Sequence, residues 1–238
     1  MKYELTNETK IVYGITLYRI KATKDFGIVS QGTLGGFVEK IENLSMYGNA
    51  WVYGDAKVYG DACVYGNACV YGNAWVYGDA CVYGNACVYG NAKVYGDACV
   101  YGDACVYGNA KVYGDAKVYG DACVYGNACV YGNAWVYGDA KVYGDAKVYG
   151  DACVYGNAKV YGDAKVYGDA WEKSPLFIAG SRHSLTNCKH GFINIGCKEF
   201  TFEYWKQHFK TIGKIEGYTP EEIEEYGLYI DLFCKIGK

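Results

Sequence analysis

Histidine and threonine are missing from the longest patterned stretch of this chain, Ser45 to Ala170, and proline occurs only twice in all 238 residues. Without imidazole that stretch holds no side chain whose ordinary pKa suits proton transfer at neutral pH, and no three-histidine metal site. Without Thr it cannot present the flat ranks of hydroxyls that ice binding uses. Leu, Ile and Phe are scarce there too, so its apolar content comes from Val, Ala, Tyr and Cys. No run of 18 apolar residues exists, and MKYELTNETK at the N-terminus has no apolar signal core, which gives an expectation of a cytoplasmic protein away from membranes. The formal charge of -3 supplies no basic field for nucleic acid. Mimicry of DNA is equally unsupported, because the repeat sets 12 Asp against 8 Lys. Despite 33 glycines there is no GxGxxG, Walker A or GxSxG stretch. The 12 cysteines form no CxxC or Cys/His cluster, and reduced thiols are expected. No cofactor is indicated.

What the chain does contain is one sentence repeated. Ser45 to Ala170 is 21 hexapeptides of the form X-V-Y-G-[D/N]-A, X being Lys, Cys or Trp, with only the first copy irregular. In Ala-X-Val-Tyr the side chains alternate, placing Ala and Val on one side of a short strand and X and Tyr on the other. Gly followed by Asp or Asn then turns the corner. Small interior residues suit a narrow core, giving three strands and three corners per 18-residue coil. Seven such coils rise about 4.8 Å each and form a rod about 34 Å long.

The VYGNA and VYGDA units resemble the hexapeptide repeat of left-handed parallel β-helices, and the handedness is implied by that resemblance alone. The flanking LYRIKATKDFG (Leu17 to Gly27), LGGFVEKIENLS (Leu34 to Ser45) and INIGCKEFTFEYW (Ile193 to Trp205) resemble bacterial and prophage hexapeptide-repeat proteins without an assigned activity. The fold class expected is thus an all-β solenoid, a left-handed parallel β-helix with three strands per coil, with a small α+β C-terminal cap. Acyltransferases that share such a repeat need a histidine base and a projecting loop. The repeat has neither, and His183, His190 and His208 all lie beyond it.

Positions 18 apart stack into columns. The first X column reads Trp51, Cys69, Cys87, Cys105, Cys123, Lys141, Lys159; the second Lys57, Trp75, Lys93, Lys111, Cys129, Lys147, Lys165; the third Cys63, Cys81, Cys99, Lys117, Trp135, Cys153, Trp171. The second is mostly lysine and solvated. The first and third are dominated by Cys and Trp, so Trp51, Cys69, Cys87, Cys105, Cys123, Cys63, Cys81, Cys99, Trp135 and Cys153 make the candidate partner face. Tyr ladders run beside every column. Such apolar faces point to self-association, and a homotrimer is the arrangement that the resemblance implies. Thiols one coil apart also fall within the reach of a disulfide or a soft metal, although packing is the plainer role. All eight repeat lysines are followed four residues later by Asp, and eight of nine repeat cysteines by Asn. Charge compensation or duplication of two cassettes would each produce that pattern.

Three regions follow. Residues 1–27 read as a hairpin cap, with YELT and ITLYRIKA around a turn at NETK. Residues 28–173 read as the solenoid, with Ile28 and Leu34 in phase with Val, and Val38 and Leu44 in phase with Ala. Residues 174–238 read as the C-terminal cap: two short strands about Lys189 to Gly191, then helices begun by Thr201 and by Thr219-Pro220 with Glu222. Their Trp205, Phe209, Ile223, Leu228 and Phe233 supply its core. Within it Arg182, His183, Lys189 and His190 form the densest polar set and the candidate recognition residues. The expected function is a non-enzymatic scaffold or binding protein of phage or prophage type. An acyltransferase-like enzyme, or a phage protein that sequesters a small molecule or host protein, are the alternatives.

Overall fold

In the computed structural model, which describes residues 1–237, the hexapeptides wind into a β-solenoid of about eight turns. Each unit contributes a short strand, such as Cys87–Val88, and the strands stack in parallel at 18-residue intervals into three sheets, one per face. Up to three backbone bonds per unit climb to the next coil: in unit 69–74 the Cys69 N–H donates to Ala86 C=O (2.9 Å), Tyr71 to Val88 (3.0 Å) and Asn73 to Gly90 (2.8 Å). The Val and Ala of every unit from Ala50 to Val166 are buried, so the core is two kinds of small side chain stacked on their own copies. The corners demand glycine: Gly84 has φ +72°, and a Cβ there would lie 2.9 Å from the Gly102 nitrogen one coil on.

The repeat loses phase at both ends. Val38 pairs with Val58, and Leu44 bridges Val64, each 20 residues on, so both belong to the Val ladder and not to the Ala ladder expected from strict counting. Two extra residues are absorbed before Gly48, which stacks on Gly66, and Tyr47 is pushed out to 85% exposure. Ile28 and Leu34 are likewise exposed, at 91% and 52%, so the upstream coil does not share the hexapeptide phase. At the other end Trp171 pairs with Val154, 17 residues back, which turns it out of the X column and into the core.

The N-terminal hairpin consists of β1 (Tyr3–Val12) and β2 (Ile15–Ala22). Its turn is at Tyr13-Gly14, where both residues take positive φ; NETK instead lies within β1, where the pairing slips between Leu5 and Thr9. β2 pairs with β3 (Leu34–Val38), which joins the first parallel strand of the second face. β3 sits close: a Cβ on Gly36 would come within 2.6 Å of the Ala56 carbonyl oxygen. The cap seals the open coil with buried polar groups, the Lys2 ammonium donating to Ala50 C=O (2.8 Å) and the Tyr3 hydroxyl to Ile41 C=O (2.7 Å). Burial pulls the Lys2 ammonium down to about 8.

Beyond the rod, Phe177–Ala179, Ser184–Lys189, Phe192–Ile195 and Lys198–Thr201 form an antiparallel sheet. Two helices follow, α1 (Phe202–Ile215), capped by Thr201, and α2 (Pro220–Ile236), with the expected Thr219/Glu222 capping box. They cross closely, since a Cβ on Gly213 would come within 2.7 Å of Ile223. Trp205 and Phe233 are buried in this second core, whereas Leu228 is 67% exposed and plays no part in it. No helix is long and apolar enough to cross a membrane among the described residues.

Candidate interaction faces and the cap cavity

The first and third faces carry the columns that simple counting predicts. Cys69, Cys87, Cys105 and Cys123 are successive parallel partners, as are Cys63, Cys81 and Cys99; Cys153 follows Trp135 on the same face. All eight are half-buried free thiols, as is Cys129 on the second face. Each thiol donates to the carbonyl two residues earlier, for example Cys87 to Asn85 (3.6 Å) and Cys105 to Asp103 (3.7 Å). Beside them the phenol rings stack face to face: Tyr71, Tyr89, Tyr107 and Tyr125 lie 4.8 to 4.9 Å apart with planes within 3°. Burial pushes the Tyr107 hydroxyl up to about 12, with neighbouring phenols adding to the effect.

Trp51 does not belong to the candidate face. It occupies an X position, paired with Cys69, yet it is fully buried beneath the N-terminal cap, edge-on to Tyr3 (6.0 Å) and Phe26 (5.3 Å). Counting columns could not reveal this, because burial there comes from residues outside the repeat. Trp51 and Trp171 are the two plugs of the solenoid core, and the indole N–H of each is buried without an acceptor among the described residues. Trp135 remains on the surface at 39% exposure, with the Lys117 ammonium 4.8 Å over its ring.

The second face is not simply solvated. Its first turns lie under the hairpin: Leu17, Phe37 and Tyr59 form a small buried cluster, and Tyr13 at the hairpin tip packs on Trp75, which Lys57 and Lys93 flank at 5.2 and 4.8 Å. On the first face such cover is confined to the ends, Trp51 beneath the N-terminal cap and Tyr161 against Phe177 (5.4 Å).

The thiols of one row differ in acidity. Cys69 is pulled down to about 7, chiefly because the neighbouring Cys87 thiol stabilises its thiolate, while Cys87 is pushed up by the same contact. Burial raises Cys105 to about 11. At neutral pH iodoacetamide should therefore alkylate Cys69 at least about ten-fold faster than Cys105. Peptide mapping after short exposures measures this, and equal rates along the row would refute a thiolate localised at Cys69.

The Asn corners are a feature that the sequence reading missed. The amides of Asn49, Asn67 and Asn85 donate along a column to Asn67, Asn85 and Asp103 (3.1, 3.0 and 2.9 Å), and Asn91, Asn109 and Asn127 form a second such ladder ending on Asp145. A carboxylate accepts but cannot donate, so each ladder stops at its first Asp. The signal was present as runs of Asn at 18-residue spacing. Among the described residues no repeat lysine lies within ion-pair distance of a repeat aspartate; Asp55 and Asp61 pair with Lys10 and Lys40 of the N-terminal region.

The four cap residues separate into two places. His190 and Lys189 lie at the junction with the rod, where the His190 backbone N–H donates to Asp169 (2.7 Å) and its ring meets Trp171 edge-on at 5.3 Å. Arg182 and His183 lie at the helices instead. The Arg182 guanidinium stacks 4.7 Å over Tyr218 and donates to Gly217 C=O (2.9 Å). His183 borders a cavity of about 280 Å³ whose walls include Trp205, Phe209, Ile212, Tyr218 and Ile230. Among the described residues no group of three or more His, Cys, Asp or Glu is arranged around a single metal position.

Two stretches of the chain, residues 62–78 and 122–138, match the family model described as YdcK Beta solenoid repeat. No curated protein matches the chain. The matched stretches lie wholly within the hexapeptides, and with the parallel ladders they make this a β-solenoid repeat protein.

Proposed function

We propose that this β-solenoid is a non-enzymatic scaffold or binding protein that self-associates through its first and third faces, in a bacterial or prophage setting that rests on the resemblance of its flanks. One observation carries the reading: the first and third faces present half-buried Cys and stacked Tyr, with no charged residue in the Cys rows over three or four coils, whereas the second face is partly covered by the chain's own hairpin. Uncovered apolar area of that extent favours a second copy of the same surface. The coils carry no inserted loop and no histidine between Ser45 and Ala170, which favours display or assembly over turnover.

Cys87→Glu and Cys105→Glu test it. Lys fills the same position in eight other units, so a charge there is compatible with the coil. Buried in an interface, however, an unpaired carboxylate is strongly unfavourable. Light scattering should show an oligomer for the natural chain and a monomer for either variant. A monomeric natural chain, or variants of unchanged mass, would sink the proposal.

A second reading is favoured by the cap cavity, whose aromatic and aliphatic walls and bordering His183 suit a small, mostly apolar molecule. Extra mass that survives gentle ionisation, and disappears when Ile230→Trp fills the space, would support it.

A further inference from the structure

The thiol rows share a geometry that the packing role does not use. Within each row the sulfurs have one orientation, because every thiol donates to the carbonyl two residues earlier: Cys69, Cys87, Cys105 and Cys123 at 3.6 to 3.7 Å, Cys63, Cys81 and Cys99 at 3.4 to 3.7 Å. Sulfurs held alike on parallel strands inherit the spacing of the strands, about 4.8 Å. The Tyr rings alongside repeat at that same interval, 4.8 Å between Tyr71 and Tyr89 and between Tyr83 and Tyr101.

A metal–thiolate bond is about 2.3 Å long, so two in line span about 4.6 Å. That length fits between sulfurs of successive coils. A single straight row cannot surround a point, so it offers no tetrahedral Zn(II) site, but it offers the two opposed sulfurs that suit a linear, two-coordinate soft cation. We propose that the rows Cys69/Cys87/Cys105/Cys123 and Cys63/Cys81/Cys99 bind monovalent thiophilic cations of the Cu(I) and Ag(I) class, each held between thiols of adjacent coils.

Binding is proton exchange without redox change. Each cation forms two metal–sulfur bonds, two S–H bonds break, two protons leave to solvent, and the bis-thiolate unit carries one negative charge. Each row ends against a cation that offsets this charge, Lys141 above Cys123 and Lys117 above Cys99. Used in separate pairs, the four-thiol row holds two ions and the three-thiol row one. Cys129 lies between Lys111 and Lys147, and Cys153 between Trp135 and Ala170, so neither has a sulfur neighbour in its column.

The experiment is native mass spectrometry of the reduced full chain, loaded with Cu(I) in the presence of excess bicinchoninate and, separately, with Ag(I). Three ions per chain are expected. The variant with Cys69, Cys87, Cys105 and Cys123 all changed to Ser should keep one. Cys87→Ser with Cys105→Ser, a milder change that breaks every adjacent pair in that row, should also keep one. Changing the isolated Cys129 and Cys153 to Ser should leave three. Circular dichroism confirms that each variant is folded. Transfer of all Cu(I) from the natural chain to bicinchoninate, or an unchanged ion count in the row variants, would overturn the proposal. The same spectra report subunit number, so loss of metal and loss of self-association are read separately.

Discussion

Raising the pH from 10 to 12 should dismantle the rod in one transition, with phenolate absorbance and loss of β-structure rising together. An exposed phenol titrates near 10, but Tyr83, Tyr107 and Tyr113 are pushed up to about 12, first by burial and then by the phenols and thiols stacked beside them. A phenol with a raised folded pKa keeps its proton after the unfolded chain has lost it. Between 10 and 12 the folded state therefore binds more protons, and stability falls with rising pH; below 10 the contribution is intact. Cys105, raised to about 11, acts in the same direction. Because one column shares the effect over many coils, the loss is cooperative. Changing Tyr71, Tyr89, Tyr107 and Tyr125 to Phe removes four of these groups and should move the midpoint upward in pH. Phenolate signal growing at the ordinary pH with β-structure unchanged would mean that the ladders are open to water.

Trp51→Ala should cost about 3–5 kcal/mol, the usual range for emptying a buried indole site, and the loss should stay local. Trp51 touches Tyr3, Phe26 and Tyr53, so its removal hollows the contact between the N-terminal cap and the first coil. In a solenoid each coil is stabilised by its neighbours alone. Hydrogen exchange should accelerate for amides before about residue 60, while Cys105 to Val142 keep their protection. Trp51→Phe preserves an aromatic plug and removes the unaccepted indole N–H, so it should be much milder. Protection lost evenly along the rod after Trp51→Ala would show that the coils act as one unit.

The interior of the rod was legible because its rule is local: alternation assigns Val and Ala inward, and Gly before Asp or Asn sets the corner. The helix starts at Thr201 and Thr219 were legible for the same reason, since capping depends on residues three apart. The ends were not. Strict counting put Leu44 in the Ala ladder and Trp171 in an outward column, whereas the pairings slip by two residues near Tyr47 and by one near Trp171. A slip leaves no mark in composition; it is chosen by what must cover an open coil, and that covering comes from distant segments. The candidate face was legible in its columns and misjudged at Trp51, whose burial depends on Tyr3 and Phe26. The cap cavity was not legible, because it arises from the crossing of α1 and α2 at Gly213.

Coils that are copies of one another make length a discrete variable. Duplication or loss of three hexapeptides in the gene would change the rod by one whole coil, about 4.8 Å, and leave both ends facing as before. A gain or loss of one hexapeptide would swing the C-terminal cap round to the next face while leaving every interior contact type intact. The irregular joints near Tyr47 and Trp171, with the segments that cover them, mark where the rod starts and stops. Replication slippage within the repeat is thus a ready source of rods of other lengths, and of other angles between the two caps, without any new side chain.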